Sequence, residues 1–271
     1  MQTAEPEVVA TLYDSPEGQF GPTLFGGHLH WGYWDAETAG ASFAAAADRL
    51  AEIMIERIRI GPGQRFVDLG CGVGQPAAKL ARATGCQVDG ITISGSQQRA
   101  ATAMAEAEGL QDRLRFFHGS ALEIPAEDAS YDGGWFFESI FHMGHRAALL
   151  EAARVLKPGA TLLLTDLPTL PTTSDEFRDF VQEHIHSVFV AKEDYPALMA
   201  EAGFELVEIE DISENVMPWL VPKLTEALEE HRGTLVEMFG EETEKMIENW
   251  IFLFEYMSEN LGYMVVTARK K

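Results

Sequence analysis

The stretch FVDLGCGVGQ, residues 66–75, decides the fold. An apolar run ends on an acid, Asp68, and glycines follow at 70, 72 and 74. Glycine costs backbone entropy, so three within five residues need a geometric reason: a tight turn, or a main chain that something must approach closely. Upstream, QRFVDLG reads as a short buried strand. Downstream, GQPAAKLARATG reads as a helix, with Pro76 tolerated in its first turn and Gly85 as its stop.

The same alternation continues outward. CQVDGITIS, DRLRFFHGS, YDGGWFFES and KPGATLLLTDL read as strands, interleaved with helices at SGSQQRAATAMAEAEG and HRAALLEAARVL. GFELVEIEDIS and NLGYMVVTARKK complete seven strands. Strands alternating with helices over residues 60–167 predict an α/β fold, a mostly parallel sheet covered on both faces. Residues 38–58 predict an amphipathic helix, and residues 172–202 and 214–258 are helical beyond what such a sheet needs. The expectation is one domain over 1–271. Its core is 60–171, 203–213 and 261–271. Its helical cap comes from 1–58, 172–202 and 214–260.

Composition narrows the function. With 271 residues, 46% of them apolar, the chain can bury a full core. It carries 43 acidic against 20 basic residues, a net charge of −23. Such a surface repels phosphate backbones and argues against nucleic acid as a partner; it serves solubility and admits a cationic ligand. Two cysteines form no metal or disulfide pattern. The N-terminal stretch lacks a signal-peptide pattern and no apolar run is long enough to span a bilayer, so a cytoplasmic location without a membrane span is expected.

In an open parallel sheet, ligands lie beyond the carboxyl ends of the strands, where a glycine loop bares backbone N–H groups beside a helix N-terminus. The spacing is D-x-G-x-G-x-G. It is neither the dinucleotide pattern GxGxxG nor a P-loop, which needs GK[ST].

VDLGCGVGQPAAKLA resembles motif I of the class I S-adenosylmethionine-dependent methyltransferases. LYD at 12–14, HLHWGYWD at 28–35, GITISGSQ at 90–97, EDASYDGGWFFESIFHM at 127–143, ARVLKPGATLLLTD at 153–166 and GYMVVTARK at 262–270 extend the likeness over nearly the whole chain. They match the small-molecule subgroup that includes sugar O-methyltransferases and sarcosine/dimethylglycine methyltransferases. The resemblance implies a Rossmann-like seven-stranded sheet, S-adenosylmethionine as cofactor with S-adenosylhomocysteine as product, a small-molecule acceptor and no metal. A second copy of the chain is an open partner.

Carried over by residue, Gly70, Gly72 and Gly74 cradle the methionine and ribose, and Asp68 stands near the amino or sulfonium end. Thr92 occupies the place where many members hold the ribose with an acid, and Gln97 is its helper. Ser120 stands where an aspartate usually meets the adenine amino group. The implied contacts extend to Ile93, Ala121, Glu138, Tyr13 and Trp31, with Tyr33 and Trp34 completing an aromatic lid or, alternatively, core packing.

A hydroxyl acceptor needs its proton removed, which requires a base. His142 follows the fourth strand and Asp166 ends the fifth, so a His142–Asp166 pair can face one pocket, the carboxylate orienting the imidazole. The sugar O-methyltransferase that this stretch resembles carries two adjacent histidines here; this chain has Phe141 and His142. The plainer roles are a core histidine and an N-cap aspartate. His184 and His186 share no helical face, which argues against a metal site, while either could still face a substrate. Trp250, Phe254 and Met257 read as core before substrate wall. The expected reaction is methyl transfer to a hydroxyl of a natural-product-type acceptor. N- or C-methylation, or a non-methylating cyclase on the same fold, is the alternative.

Overall fold

A computed structural model describes residues 6–271; residues 1–5, the start of the expected cap, lie outside the described residues. Three helices come first: α1 (Pro6–Asp14), α2 (Pro16–Leu24) and α3 (Phe43–Glu56). The core then alternates through β1 (Arg65–Leu69), α4 (Gln75–Thr84), β2 (Gln87–Thr92), α5 (Gly95–Ala107), β3 (Leu114–His118), β4 (Tyr131–Phe137), α6 (His145–Val155) and β5 (Leu156–Asp166). Helices α7 (Asp175–His184) and α8 (Tyr195–Glu201) lead to β6 (Phe204–Asp211). Helices α9 (Ser213–Glu230), α10 (Arg232–Phe239) and α11 (Thr243–Asn260) precede β7 (Met264–Lys270).

The sheet runs β3-β2-β1-β4-β5-β7-β6, and β7 alone runs opposite to the other six strands. This is the Rossmann-like, seven-stranded order that the resemblance implies. Strand order reverses between β1 and β4, so a crevice opens beyond Leu69 and Phe137. One apolar cluster packs α3, α4, α9 and α11 on one face around Phe66 and Trp135. The other packs α6 and α8 against Phe136, Leu162 and Val266.

Three local readings differ from expectation. The helix expected over 38–58 begins at Phe43, because the Ser42 hydroxyl accepts the amide of Ala45 and caps it there. In KPGATLLLTDL the Pro-Gly turn lies inside β5: Leu156 pairs Tyr131 and Thr161 pairs Gly133, so the intervening residues bulge out of register. The expected helical segment 172–202 breaks between α7 and α8. There Val188 donates to the carbonyl of Phe141, and Thr169 to that of Val190, so these residues serve other elements instead of a helix of their own.

Candidate active site

The glycine loop turns at the carboxyl end of β1 with positive φ at Gly70, Gly72 and Gly74. Gly74 starts α4 in the left-handed region at φ +84°, and no side chain caps that helix. A Cβ on Gly74 would stand 2.7 Å from the Phe116 ring, and one on Gly72 would meet Leu29 Cδ1 at 2.6 Å. The trio is thus required by handedness and by close neighbours together.

The loop forms one wall of a cavity of about 950 Å³, its open mouth included. Ile93 and Gln97 line it beyond β2, and Ser120 and Ala121 beyond β3; Glu138 and His142 follow β4, and Tyr13 projects from α1. Thr92 donates its hydroxyl to the Gln97 side-chain oxygen at 2.8 Å, so both are held as one polar unit. Ser120 Oγ accepts the amide of Leu122 at 3.1 Å. Helix α1 is latched over the cavity by Asp14, whose carboxylate takes the hydroxyls of Ser94, at 2.5 Å, and Ser96 at the start of α5.

Two acids sit in unusual surroundings. Asp68 is buried, and the polar group beside its carboxylate is the Trp135 indole, whose N–H lies outside close hydrogen-bond geometry but still favours the charged form. Burial pushes the Asp68 carboxyl up to about 7. Glu138 adopts φ +48°, held there by its amide on the Thr165 hydroxyl at 2.9 Å. One of its oxygens accepts the Trp31 amide at 2.7 Å and the Tyr263 hydroxyl. Burial lifts Glu138 to about 8.

His142 has a defined tautomer. Its Nδ1 faces the carbonyl of His186 at 3.4 Å and Ser187 Oγ at 3.1 Å, and Ser187 gives its own proton to the carbonyl of Ile185. Both neighbours therefore accept, Nδ1 carries the hydrogen, and Nε2 presents its lone pair. The Tyr13 hydroxyl donates to that lone pair at 2.8 Å. Burial lowers His142 to about 4 and keeps it neutral.

The expected His142–Asp166 pair does not form. Asp166 is fully buried behind the cavity wall, where its carboxylate takes His145 Nε2 at 2.6 Å and the Tyr195 hydroxyl. Asp166 ends β5 on the face that packs against α6 and α8, and His145 opens α6. FHMGHR held that signal in its second histidine. The aromatic lid does not form either. Trp31 packs on Phe254 and Tyr263, Trp34 on Phe43 and Trp219, and Tyr33 joins the same apolar cluster. From that segment the lining residues are Leu29 and His30. Phe254 and Met257 are core, with Trp250 packed on Phe254.

Residues 67–164 match the family model described as a methyltransferase domain. The chain is 34% identical over 267 residues, 97% of itself and 93% of the relative, to the (+)-O-methylkolavelool synthase of Herpetosiphon aurantiacus. It is 35% identical to the 27-O-demethylrifamycin SV methyltransferase of Amycolatopsis mediterranei, covering 91% of each. Among solved structures, the [4+2]-cyclase SpnF superposes with a TM-score of 0.83 at 28% identity, over 100% of this chain and 98% of that one. Methyltransferases of the same fold at 19% identity have been solved with S-adenosylmethionine or S-adenosylhomocysteine.

The cavity suits such a cofactor. The buried Asp68 carboxylate, with the Trp135 indole beside it, can meet a cation or donor; the uncapped N-terminus of α4 offers amides; and Ile93 and Leu122 supply apolar wall. Among the described residues, no helix is long and apolar enough to cross a membrane.

Proposed function

Because this chain belongs to the S-adenosylmethionine-dependent methyltransferase family, we propose that it methylates a hydroxyl group on an uncharged, largely apolar small molecule. The observation that carries this reading is the neutral His142, its Nε2 lone pair turned toward Tyr13 within the cavity.

Asp68, the glycine loop, the Thr92–Gln97 unit with Ile93, and Ser120 with Ala121 would hold the cofactor. Bound S-adenosylmethionine supplies a methyl on a positively charged sulfur, an activated group with a good leaving group. The protein's part is alignment and exclusion of water, with α1 closing the mouth. The acceptor hydroxyl would take that methyl, and its proton would pass to Nε2 of His142 through the Tyr13 hydroxyl, which gives its own hydrogen to that lone pair. An oxygen already bonding to carbon is strongly acidic, so a weakly basic imidazole that rests neutral suffices. Ser187 and the carbonyl of His186 hold the ring in the tautomer that step requires. The names of the relatives favour oxygen as acceptor.

No Lys or Arg lines the cavity among the described residues, and its acids are Asp68 and Glu138. A phosphorylated or carboxylated acceptor would find no counter-charge there. The likeness to SpnF supports a second reading, in which the cofactor is retained as a scaffold and the apolar chamber folds a polyene for cyclisation.

Incubation with methyl-labelled S-adenosylmethionine and a panel of apolar alcohols, phenols, amines and polyenes separates these. Label in alcohols or phenols supports the proposal. Label confined to amines or to carbon overturns the hydroxyl assignment, and polyene conversion without label supports the cyclase.

A further inference from the structure

Two buried acceptors line the cavity. The Asp68 carboxylate has the Trp135 indole beside it outside close hydrogen-bond geometry, and Nε2 of His30 has no partner among the described residues. His30 belongs to the irregular segment between α2 and α3 and is 3% exposed. Its ring stacks on Phe137, at the end of β4, with centroids 4.0 Å apart and planes 13° from parallel. His28 meets it edge-on at 4.6 Å.

The tautomer follows from its one bond. Nδ1 lies 2.8 Å from the carbonyl of Trp31, which can only accept, so Nδ1 carries the hydrogen and Nε2 is a bare lone pair. Burial, with His28 and Lys79 acting in the same sense, keeps the ring uncharged. Lys79 itself is bonded to Asp48 at 2.8 Å and does not line the cavity. The protein thus holds a buried acceptor and a buried carboxylate in one chamber with no basic side chain to serve them. Buried acceptors are almost always satisfied, so the donor is expected from a ligand. That donor must carry N–H or O–H groups and tolerate a carboxylate. An ammonium does both.

We propose that His30 is a cofactor-binding residue, its Nε2 accepting an N–H from the α-ammonium of S-adenosylmethionine while Asp68 meets the positive charge. This rests on the cofactor assignment of the cavity and extends it to a residue outside the glycine motif. The stack on Phe137 fixes the ring plane before the ligand arrives.

The test is titration calorimetry with S-adenosylhomocysteine and with its deamino analogue, in which hydrogen replaces the α-amino group. His30→Phe keeps the stack and removes the acceptor; His30→Gln restores an acceptor oxygen. For His30→Phe the expected result is S-adenosylhomocysteine binding about 10- to 100-fold weaker, an unchanged affinity for the deamino analogue, and partial recovery in His30→Gln. Equal weakening of both ligands would reduce His30 to a packing residue and overturn the proposal. So would wild-type affinity of His30→Phe for S-adenosylhomocysteine. A wild-type protein that bound neither ligand would remove the cofactor assignment itself, and this inference with it. Thermal melts of each variant without ligand show whether a loss is one of folding.

Discussion

The phenol of Tyr13 donates to Nε2 of His142 across 2.8 Å, although 129 residues separate them. The contact joins the first helix to the turn after β4 and closes the cavity over a neutral imidazole. Replacing His142 with alanine is expected to lower kcat by about 10²- to 10⁴-fold while the affinity for S-adenosylhomocysteine holds. Tyr13→Phe leaves the lone pair in place and should cost less. Single-turnover rates beside calorimetric affinities check both.

Stability should fall as pH rises from about 7 to 9. Asp68 and Glu138 have folded values of about 7 and 8, above the ordinary carboxyl range, so the folded state holds protons that the unfolded chain has already lost. A group raised in this way stabilises below its unfolded pKa, and that contribution drains away as pH climbs through the folded value. Histidines are neutral in both states over most of this window and contribute little. Melting temperature against pH should therefore slope downward, chiefly through Glu138 because Asp68 is already half ionised at about pH 7, and Glu138→Gln should flatten it. A rising slope between pH 7 and 9 would count against the burial of these acids.

Gly74→Ala should destabilise by about 1–3 kcal/mol, since φ +84° strains any residue with a Cβ. The Phe116 ring at 2.7 Å must also move. Gly40, with nothing near its Cβ position, is the control and should tolerate alanine. Urea denaturation of the two variants gives the comparison.

Asp166→Ala should act on the fold. It leaves the His145 imidazole and the Tyr195 hydroxyl buried without their shared acceptor, at a cost of about 3 kcal/mol. Affinity for S-adenosylhomocysteine should hold at temperatures where the variant is folded. A large loss of kcat with no loss of melting temperature would instead return Asp166 to the chemistry.

Acceptor charge offers a further check. For an alcohol that is a substrate, a matched acceptor bearing a phosphate elsewhere on the molecule should show kcat/KM lower by about 100-fold or more, because the lining has no basic side chain to replace the phosphate's water. Comparable turnover of the pair would show that acceptors reach the cofactor by a route other than this cavity.

The glycine loop, the seven strands and the helix after the loop were legible in the chain because each is a short-range matter. Handedness at Gly72 and Gly74, the buried run before Asp68 and the stop at Gly85 are written within a few residues of one another. Strand-end positions follow from these; the family resemblance then assigned Asp68, Thr92, Ser120 and Glu138 to the cofactor and put His142 at the acceptor, and all five line one cavity. Partner choice is different. His142 and Asp166 both stand beyond the carboxyl ends of central strands, yet the helix that begins at His145 brings a second histidine onto Asp166, and the break after α7 brings Ser187 to His142. The residues of HLHWGYWD were all visible, but which turn inward was not: Glu138 grips the amide of Trp31, the indole goes to the core, and His30 is left at the cavity. Contacts across 21, 45 or 129 residues depend on how helices dock over the sheet. Docking is governed by the summed burial of many side chains, with no local pattern to announce it.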